Sequence, residues 1–458
     1  MFGALNRLGV SVKKALSGNA VGSSEPSLAF NFDINKYVAN GTKNFNQAIT
    51  HDRSGNATMV DSDGLLKWAP HNLLTYSEDF SNAVWNKASA SVSVGSDYTT
   101  LTASTGTGNH WIYHSGPTGP VNIAIEAKAG TVSFISLSST SPNSDGAYFN
   151  LSSGSVGTIK GSDTASIEDL GDGWFLCEVQ FASDEEFFTL TIANADNSGS
   201  TWSAVGTETV LIRNARAYRS DLGGMVNNPA RGDSYVPTTS AARYLPRVGH
   251  HVYNGTAWAN AGVLHESEAR TNLVTYSEDF TQWTASGLTD TSNTVASPDG
   301  QANVYYGVAT SASSSFHRTT SGVGAVSSST PYTFTAYLKA GGYDTAGLSF
   351  YDGVAYQART LFDLSDGTID STIEGSATIQ DVGNGWYRCS ITGTTDASAT
   401  SGTVYISTFS LFGFTGDDVS GTYIYGAQLE AGSTPSSYIP TSGATATRAA
   451  DVLTIPAA

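Results

Sequence analysis

The sequence predicts an all-β protein with two tandem antiparallel β-sandwiches of the jelly-roll type, preceded by a short N-terminal amphipathic helix. The chain contains 48 glycines and 11% aromatic residues but only 14% charged residues, which is typical of strands joined by many tight turns. Short alternating apolar and polar runs recur between turn clusters, and few segments show a helical period. The remaining support for this fold class is an internal duplication.

The duplication is clearest in one block of nine residues. Residues 72–80 (NLLTYSEDF) return as residues 272–280 (NLVTYSEDF), and the two differ only at Leu74 and Val274. Further blocks match in the same order: 127–130 with 338–341, 149–154 with 362–367, 167–177 with 379–389, and 234–238 with 437–441. Each copy is therefore about 170–190 residues long, a common size for one β-sandwich.

The duplicated block is expected to form the entry strand and turn of each sandwich, rather than a functional site. Its aromatic side chains are expected to pack inward, at Tyr76, Tyr276, Phe80 and Phe280. Within the second copy, eight alternating runs predict strands at 304–309, 332–339, 347–351, 358–363, 377–382, 386–392, 403–409 and 423–430. Functional residues are better sought where the two copies differ.

The chain divides into five predicted regions. They are an N-terminal anchor segment (1–24), a strand and hairpin segment (25–71), the first jelly roll (72–245), a connecting hairpin (246–271) and the second jelly roll (272–458). The anchor has apolar residues at spacings of three and four, which predicts a helix with one apolar stripe at Phe2, Leu5, Leu8, Val12 and Leu16. Three interpretations stay open: an anchor for a larger assembly, a terminus folded back on the body, or a membrane-surface helix.

Charge limits the classes of partner. The net charge is −18, and so acidic a chain is repelled by phosphate backbones, which disfavours nucleic acid as a partner. No apolar run approaches the roughly 20 residues of a membrane span. The two cysteines, Cys177 and Cys389, occupy equivalent places in the two copies, so we expect two separate core thiols rather than one disulfide.

The sequence offers little for catalysis. It lacks a Gly-x-Ser-x-Gly elbow, a phosphate-binding glycine loop and a dinucleotide fingerprint, so no enzyme activity and no cofactor are predicted. His110 and His114 are expected to form a surface pair, with metal binding as the alternative. Duplicated acidic pairs suit either turn and N-cap hydrogen bonding or a structural Ca²⁺ site, and they are Glu78, Asp79, Glu278 and Asp279.

Aromatic residues supply the candidate binding site. Those shared by both copies, such as Trp174 and Trp386, are expected to be structural. Residues that stack on sugar rings should instead be exposed and differ between the copies. The candidates that meet this condition are Trp111, Tyr113 and Trp202 in the first copy, and Tyr305, Tyr306, Tyr351 and Tyr356 in the second.

Several blocks together resemble a family of tailed-bacteriophage virion proteins. The blocks are the NLLTYSEDF motif, residues 362–368 (FDLSDGT), residues 381–389 (DVGNGWYRC) and residues 426–441 (GAQLEAGSTPSSYIPT). Members of that family are tail fibres, head or tail spikes and minor structural proteins, with jelly rolls similar to carbohydrate-binding modules. The resemblance covers roughly residues 27–458, and it is weaker in the first copy, where Arg213–Tyr218 replaces the block at Tyr425–Glu430.

The resemblance implies a virion location and a non-enzymatic fibre or spike. Its implied partners are capsid, portal, tail or other fibre proteins at the N-terminus, and host surface polysaccharide at the jelly rolls. It also implies a homo-oligomer, with a trimer as the common form. Two alternatives remain: a polysaccharide depolymerase that uses an acidic pair, and a structural decoration or linker protein that binds no glycan.

Overall fold

A computed structural model describes residues 28–31, 36–39, 42–43, 49–139, 145–181, 185–198, 202–291, 293–311 and 315–454. The predicted anchor helix, including Phe2, Leu5, Leu8, Val12 and Leu16, lies outside these residues. The helices within them are two 3₁₀ turns, Asp221–Gly223 and Phe280–Gln282. No helix in the described part has the length and apolar character needed to cross a membrane. The prediction of an all-β fold with sandwich-like sheets is confirmed.

The chain forms two compact units. One unit comprises residues 70–245, and the other comprises residues 1–69 together with residues 246–458. Short strands precede the first sandwich, and they are β1 (Leu28–Asn31), β2 (Lys36–Ala39), β3 (Thr42–Lys43), β4 (Thr50–Asp52), β5 (Thr58–Val60), β6 (Leu66–Trp68) and β7 (His71–Asn72). Strands β1, β2 and β3 form a small antiparallel sheet, and β5 and β6 form the predicted hairpin.

The unit at 70–245 is an antiparallel sandwich of two six-stranded sheets. Its strands are β8 (Trp85–Ala88), β9 (Ala90–Val94), β10 (Thr99–Ala103), β11 (Gly106–Thr107), β12 (Trp111–Gly119), β13 (Val121–Ala129), β14 (Phe134–Ser138), β15 (Ala147–Asn150), β16 (Ser155–Ile159), β17 (Thr164–Gly171), β18 (Trp174–Gln180), β19 (Glu185–Ala193), β20 (Ser203–Ala204), β21 (Thr209–Arg219) and β22 (Arg243–Tyr244). We call β16-β15-β14-β19-β12-β8 its front sheet and β17-β18-β13-β21-β10-β9 its back sheet.

The second sandwich lies in the other unit. Its strands, with the connecting hairpin and C-terminal strands, are β23 (Arg247–Tyr253), β24 (Trp258–Leu264), β25 (Arg270–Asn272), β26 (Thr284–Ser286), β27 (Leu288–Asp290), β28 (Tyr305–Ala309), β29 (Arg318–Gly324), β30 (Pro331–Gly341), β31 (Thr345–Tyr351), β32 (Tyr356–Asp363), β33 (Thr368–Glu374), β34 (Ser376–Asp381), β35 (Tyr387–Thr394), β36 (Gly402–Thr408), β37 (Gly421–Ala431), β38 (Ala446–Arg448) and β39 (Val452–Thr454). The front sheet is β33-β32-β31-β36-β29-β26, and the back sheet is β34-β35-β30-β37-β28-β27.

The two sandwiches repeat the same strand order, strand for strand. In both, the long central pairs join strands far apart in sequence, such as β13 with β21 and β30 with β37. Each sandwich encloses its own apolar core between the two sheets. Cys177 and Cys389 are buried free thiols in these two cores, as predicted, and burial raises the pKa of each.

A buried ionic cluster joins the hairpin strands and the C-terminal strand to the second sandwich. Arg247 donates to Asp451 Oδ2 at 2.5 Å and to Glu266 Oε2 at 2.6 Å, while Arg53 donates to Asp451 Oδ1 at 2.7 Å. Arg448 forms a 3.1 Å ion pair with Glu266. Burial alone would raise the pKa of Asp451, but hydrogen bonding to His51 and the charges of Arg247 and Arg53 hold that pKa below its usual range.

Candidate functional site

The duplicated NL[LV]TYSEDF block has a structural role, because its asparagine side chain hydrogen-bonds to the backbone of neighbouring segments. Asn72 is fully buried, and its amide donates to the carbonyls of Ala215 at 3.0 Å and Val236 at 2.9 Å. Its Oδ1 accepts from the backbone N–H groups of Leu74 and Ala217, both at 3.1 Å. One side chain therefore satisfies four backbone groups that would otherwise be buried without partners.

The second copy repeats this arrangement. Asn272 is also fully buried and donates to the carbonyls of Ala427 at 3.0 Å and Ile439 at 2.9 Å. Its Oδ1 accepts from Val274 and Leu429, both at 3.1 Å. Because the amide makes the same four backbone hydrogen bonds in both copies, its structural role is enough to explain why the asparagine recurs.

The repeated blocks at 234–238 and 437–441 supply residues that hydrogen-bond to the serine of each NL[LV]TYSEDF block. Ser77 Oγ lies 2.9 Å from the Tyr235 hydroxyl and accepts from the Thr238 backbone at 2.9 Å. The same contacts recur among Ser277, Tyr438 and Thr441. Phe80 and Phe280 pack inward as predicted, whereas Tyr76 and Tyr276 are only half-buried. Both tyrosines instead offer their carbonyls to tryptophan N–H groups, those of Trp85 and Trp283.

The duplicated acidic pairs make hydrogen bonds within and near turns. Asp79 accepts from the backbone and hydroxyl of Ser81, which lowers its pKa. Asp279 caps the 3₁₀ turn by accepting from Thr281, and Glu278 accepts from the Tyr438 hydroxyl at 2.9 Å. Glu78 is exposed. Within the described residues, no group of three or more carboxylate, histidine or cysteine side chains could hold a metal ion.

The histidine expectation is wrong in one respect. His110 and His114 are 0% and 3% exposed, so they are not a surface pair. His110 Nδ1 lies 2.8 Å from the Ser89 carbonyl, and His114 Nε2 lies 2.9 Å from the Thr75 hydroxyl. Alternation along β12 places both rings on the same side as the core residue Ile112. These are hydrogen-bonded core histidines.

The front sheet of the second sandwich carries a row of aromatic and arginine side chains on its outer surface. Leu348 and Phe350 of β31 point into the core, so the alternating residues Ser349 and Tyr351 point outward. Across the sheet, Ser349 is opposite Tyr405 on one side and Arg359 on the other.

The rings on this surface form a continuous series. The Tyr351 and Tyr356 centroids lie 5.3 Å apart, and those of Tyr356 and Tyr405 lie 5.8 Å apart. All three tyrosines are half-buried. Burial and the neighbouring Tyr356 raise the pKa of Tyr405, so its hydroxyl stays neutral. Spacings of this size are those of favourable aromatic pairs.

Two arginines extend the series at either end. The Arg318 guanidinium lies 4.4 Å from the Tyr405 centroid and 4.5 Å from the Phe316 centroid. The Arg359 guanidinium lies 4.5 Å from the Tyr356 centroid and 5.4 Å from the Phe412 centroid. We call this surface the aromatic–arginine face, and its members are Phe316, Arg318, Tyr351, Tyr356, Arg359, Tyr405 and Phe412.

The front sheet of the first sandwich differs at the equivalent positions. Trp111 and Tyr113 point outward from β12, with centroids 6.2 Å apart, and Tyr113 lies 6.2 Å from Phe187. When the two front sheets are matched by the register of their paired strands, Trp111 is equivalent to Arg318 of the second sandwich. In the same register, Thr189 is equivalent to Tyr405. The first front surface therefore combines one aromatic patch with small hydroxyl residues.

Three of the seven candidate aromatics have other roles. Trp202 is 8% exposed, joins the first core and packs against His110 at 4.8 Å, as Phe414 packs against His317 at 4.2 Å. Tyr305 is 7% exposed and belongs to the second core.

Tyr306 lies on the back sheet of the second sandwich, where neighbouring residues of the same unit hold its side chain. Its ring stacks on Tyr423 with centroids 4.3 Å apart. Its hydroxyl lies 2.5 Å from the carbonyl oxygen of Gly341 and 3.0 Å from that of Val419, so its one proton can be donated to either. The structure thus brings together Tyr351 and Tyr356 in one sandwich, and Trp111 and Tyr113 in the other.

Five members of the aromatic–arginine face were not among the residues predicted from the sequence: Arg318, Arg359, Tyr405, Phe316 and Phe412. Tyr405 carried a usable signal, since it alternates with Val404 and Ile406 in a predicted strand and so faces away from the core. The arginines were missed because the candidates for sugar binding were chosen among aromatic residues. Phe412 lies in a loop, where period-two reasoning gives no side-chain direction.

The back sheets differ as well. On the second sandwich, the hairpin strands β5, β6, β23 and β24 lie over the back sheet and enclose a cavity of about 330 Å³, bordered by Met59, Trp258, Tyr337, Arg388 and Tyr438. On the first sandwich, the equivalent region is a polar cavity of about 650 Å³. There Glu126 accepts from Arg213 at 2.7 Å, from Asn214 at 2.9 Å and from Arg216 at 2.9 Å.

Comparisons with known proteins add little. No family model matches the chain, and no curated protein matches it. A solved structure with some similarity is the N-terminal CBM22-1–CBM22-2 tandem domain of Xyn10C from Paenibacillus barcinonensis. The two sequences are 11% identical, the alignment covers 80% of this chain and 98% of that one, and the TM-score is 0.24. A TM-score this low leaves the fold to rest on the strand pairing described above.

Proposed function

We propose that this protein binds carbohydrate through the aromatic–arginine face of its second sandwich. The observation that carries the proposal is the series Tyr351–Tyr356–Tyr405, flanked by Arg318 and Arg359, on the outer surface of one continuous sheet. Tyrosine rings stack on the C–H faces of sugars, and guanidinium groups donate to their oxygens. A rigid sheet presents these groups with little entropy left to lose on binding.

The proposed role is binding without hydrolysis. Glycoside hydrolysis requires two carboxyl groups facing the scissile bond, one of them able to donate a proton. The carboxyl next to Tyr351 is already engaged, because Asp352 accepts from the backbone N–H groups of Val354, Ala355 and Asp396. These contacts favour a binding surface over a depolymerase site.

The wider proposal rests on the sequence resemblance. We propose that the protein is a structural component of a tailed-bacteriophage virion, a fibre or spike that displays these sandwiches to host surface polysaccharide. Its N-terminal segment would attach to capsid, portal, tail or other fibre proteins, and the chain would act as a homo-oligomer, as a trimer in the commonest arrangement of such fibres. Mass spectrometry of purified particles should detect the chain, and its absence from them would refute this role.

The binding proposal is tested on the full-length protein with a glycan array. Wild-type protein should retain one or more oligosaccharides, and Tyr356→Ala should lower affinity about tenfold, or about 1.4 kcal/mol. Tyr356→Phe keeps the ring and should bind nearly as well. Tyr98→Ala, at a half-exposed tyrosine of the first unit, serves as the control. Binding that is unaffected by Tyr356→Ala would place the site elsewhere.

A further inference from the structure

We propose that the aromatic–arginine face selects acidic polysaccharide, a chain whose sugar residues carry carboxylates. This inference rests on the proposed function and specifies its ligand class. It depends on the bonding state of Arg318 and Arg359, which differs from that of the other buried or half-buried arginines described above.

Arg318 is held in place without an anionic partner. Its guanidinium is positioned between the Phe316 and Tyr405 rings, 4.5 Å and 4.4 Å from their centroids. Among the described residues its guanidinium forms no ion pair, and none of the guanidinium N–H groups has a hydrogen-bond acceptor. Arg247 and Arg216, by contrast, each donate directly to carboxylates. Ring contacts fix the plane of the Arg318 guanidinium and leave its donor edge available.

Such an arginine suits a carboxylate ligand. A guanidinium is always charged and presents two parallel N–H donors that match the two oxygens of a carboxylate. Because the aromatic rings already order the side chain, a bidentate contact costs little additional rotamer entropy. A neutral hydroxyl would use only one donor and would gain less from the charge.

Arg359 provides a second, weaker position. Its guanidinium lies over Tyr356 and near Phe412, and its nearest acid, Glu374, is 3.9 Å from Nε, too far for a hydrogen bond. Nε and Glu374 Oε2 are both buried without hydrogen-bond partners. An incoming carboxylate therefore meets a guanidinium whose intramolecular ion pair is long and incompletely satisfied.

The spacing of the two arginines indicates an extended ligand. Arg318 lies on β29 and Arg359 on β32, and the sheet order places β36 and β31 between them. Three inter-strand steps correspond to roughly 14 Å. A single sugar residue does not reach both positions, whereas an oligosaccharide laid across Tyr405 and Tyr356 does.

The net negative charge of the chain restricts where an acidic polysaccharide can bind. At −18 the protein as a whole repels polyanions, so an acidic polysaccharide is retained only where cations are concentrated and rings add contact area. Binding should therefore be localised to the aromatic–arginine face and should weaken as salt rises, since ions screen exposed charge pairs.

The test uses full-length protein and a panel of acidic polysaccharides, polygalacturonate, alginate, hyaluronan and polysialic acid, each beside its carboxyl-reduced form. At least one native polymer should bind ten times or more tightly than its reduced form. Arg318→Met should remove most of that preference by lowering the affinity for the native polymer much more than the affinity for its reduced form, and Arg318→Lys should restore part of it. Arg243→Met, at an exposed arginine of the first unit, is the control, and far-ultraviolet circular dichroism confirms folding.

The outcomes separate this inference from the proposed function. Neutral glycans bound in a Tyr356-dependent manner, with no preference for carboxylates or no effect of Arg318→Met, would overturn the acidic ligand class and leave carbohydrate binding intact. No binding to any acidic or neutral glycan would overturn both.

Discussion

The two sandwiches have the same internal architecture, but their outer surfaces differ. Their strand orders correspond strand for strand, and Asn72 and Asn272 each hold four equivalent backbone groups. On the front sheets, however, Trp111 and Thr189 in the first sandwich correspond to Arg318 and Tyr405 in the second. The duplicated residues therefore serve the fold, and the positions that differ include those of the proposed binding face.

The largest expected effect concerns the ionic cluster of the second unit. Arg247→Met should destabilise this unit by about 3–5 kcal/mol, because Asp451 and Glu266 would remain buried without their shared guanidinium. Residue-resolved hydrogen exchange should show faster opening at 272–454 and little change at 72–245. Arg243→Met, which removes an exposed arginine, should leave both rates unchanged. Equal destabilisation of the two regions would contradict this assignment.

The next effect tests whether Asn72 and Asn272 have the same structural role in the two sandwiches. Asn72→Ala and Asn272→Ala should each destabilise their own sandwich by roughly 3 kcal/mol, since each leaves several buried backbone groups unsatisfied. Chemical denaturation followed by hydrogen exchange measures the two losses separately. Asn86→Ala, on an exposed residue of β8, supplies the baseline. A loss in only one sandwich would mean that the duplicated block does not have the same role in both.

A smaller, pH-dependent effect should appear in the same ionic cluster. The pKa of Asp451 is lower in the folded protein than in the unfolded chain, so its contribution is complete above the ordinary aspartate range, near pH ~4, and is lost as pH falls through the folded value. The second unit should lose stability in acid by less than Arg247→Met removes. Asp451→Asn should flatten this dependence, and an unchanged acid profile in that variant would exclude Asp451 as its source.

The smallest effect converts the second front surface toward the first. Tyr405→Thr introduces the residue found at the equivalent position, Thr189, and should lower glycan affinity about tenfold, or about 1.4 kcal/mol. Stability should change by no more than about 0.5 kcal/mol, because the tyrosine ring is not part of the core. Titration calorimetry gives the affinity and thermal unfolding the stability. Full retention of affinity would remove Tyr405 from the site.

The fold was largely predictable because its signals are local and repeated. Alternating runs predicted eight of the twelve strands of the second sandwich to within a few residues and missed β26, β27, β29 and β33. Duplication separated Trp174 and Trp386, which are buried, from aromatic residues that differ between the copies. The sequence could not show that hairpin β5–β6 packs in the same unit as the second sandwich, because that contact depends on pairing across nearly 400 residues, as between Arg53 and Asp451.

The site was predictable only in part. The candidates Tyr351 and Tyr356 lie on the outer surface of the second sandwich, whereas Tyr305 and Trp202, chosen by the same criterion, are buried. Adjacent residues of a strand face opposite sides, so the Tyr305-Tyr306 pair could not both be exposed. The decisive contacts of Arg318 and Arg359 join strands that are distant in sequence, and no spacing within one strand reveals them.

The most direct test of the binding site is hydroxyl-radical footprinting of the full-length protein with and without a bound oligosaccharide. Side-chain labelling should fall several-fold at Tyr356 and Tyr405 in the complex and stay constant at Tyr113, which monitors radical dose in the same sample. Protection of Tyr113 with continued labelling of Tyr356 and Tyr405 would place the ligand on the first sandwich and contradict the central claim.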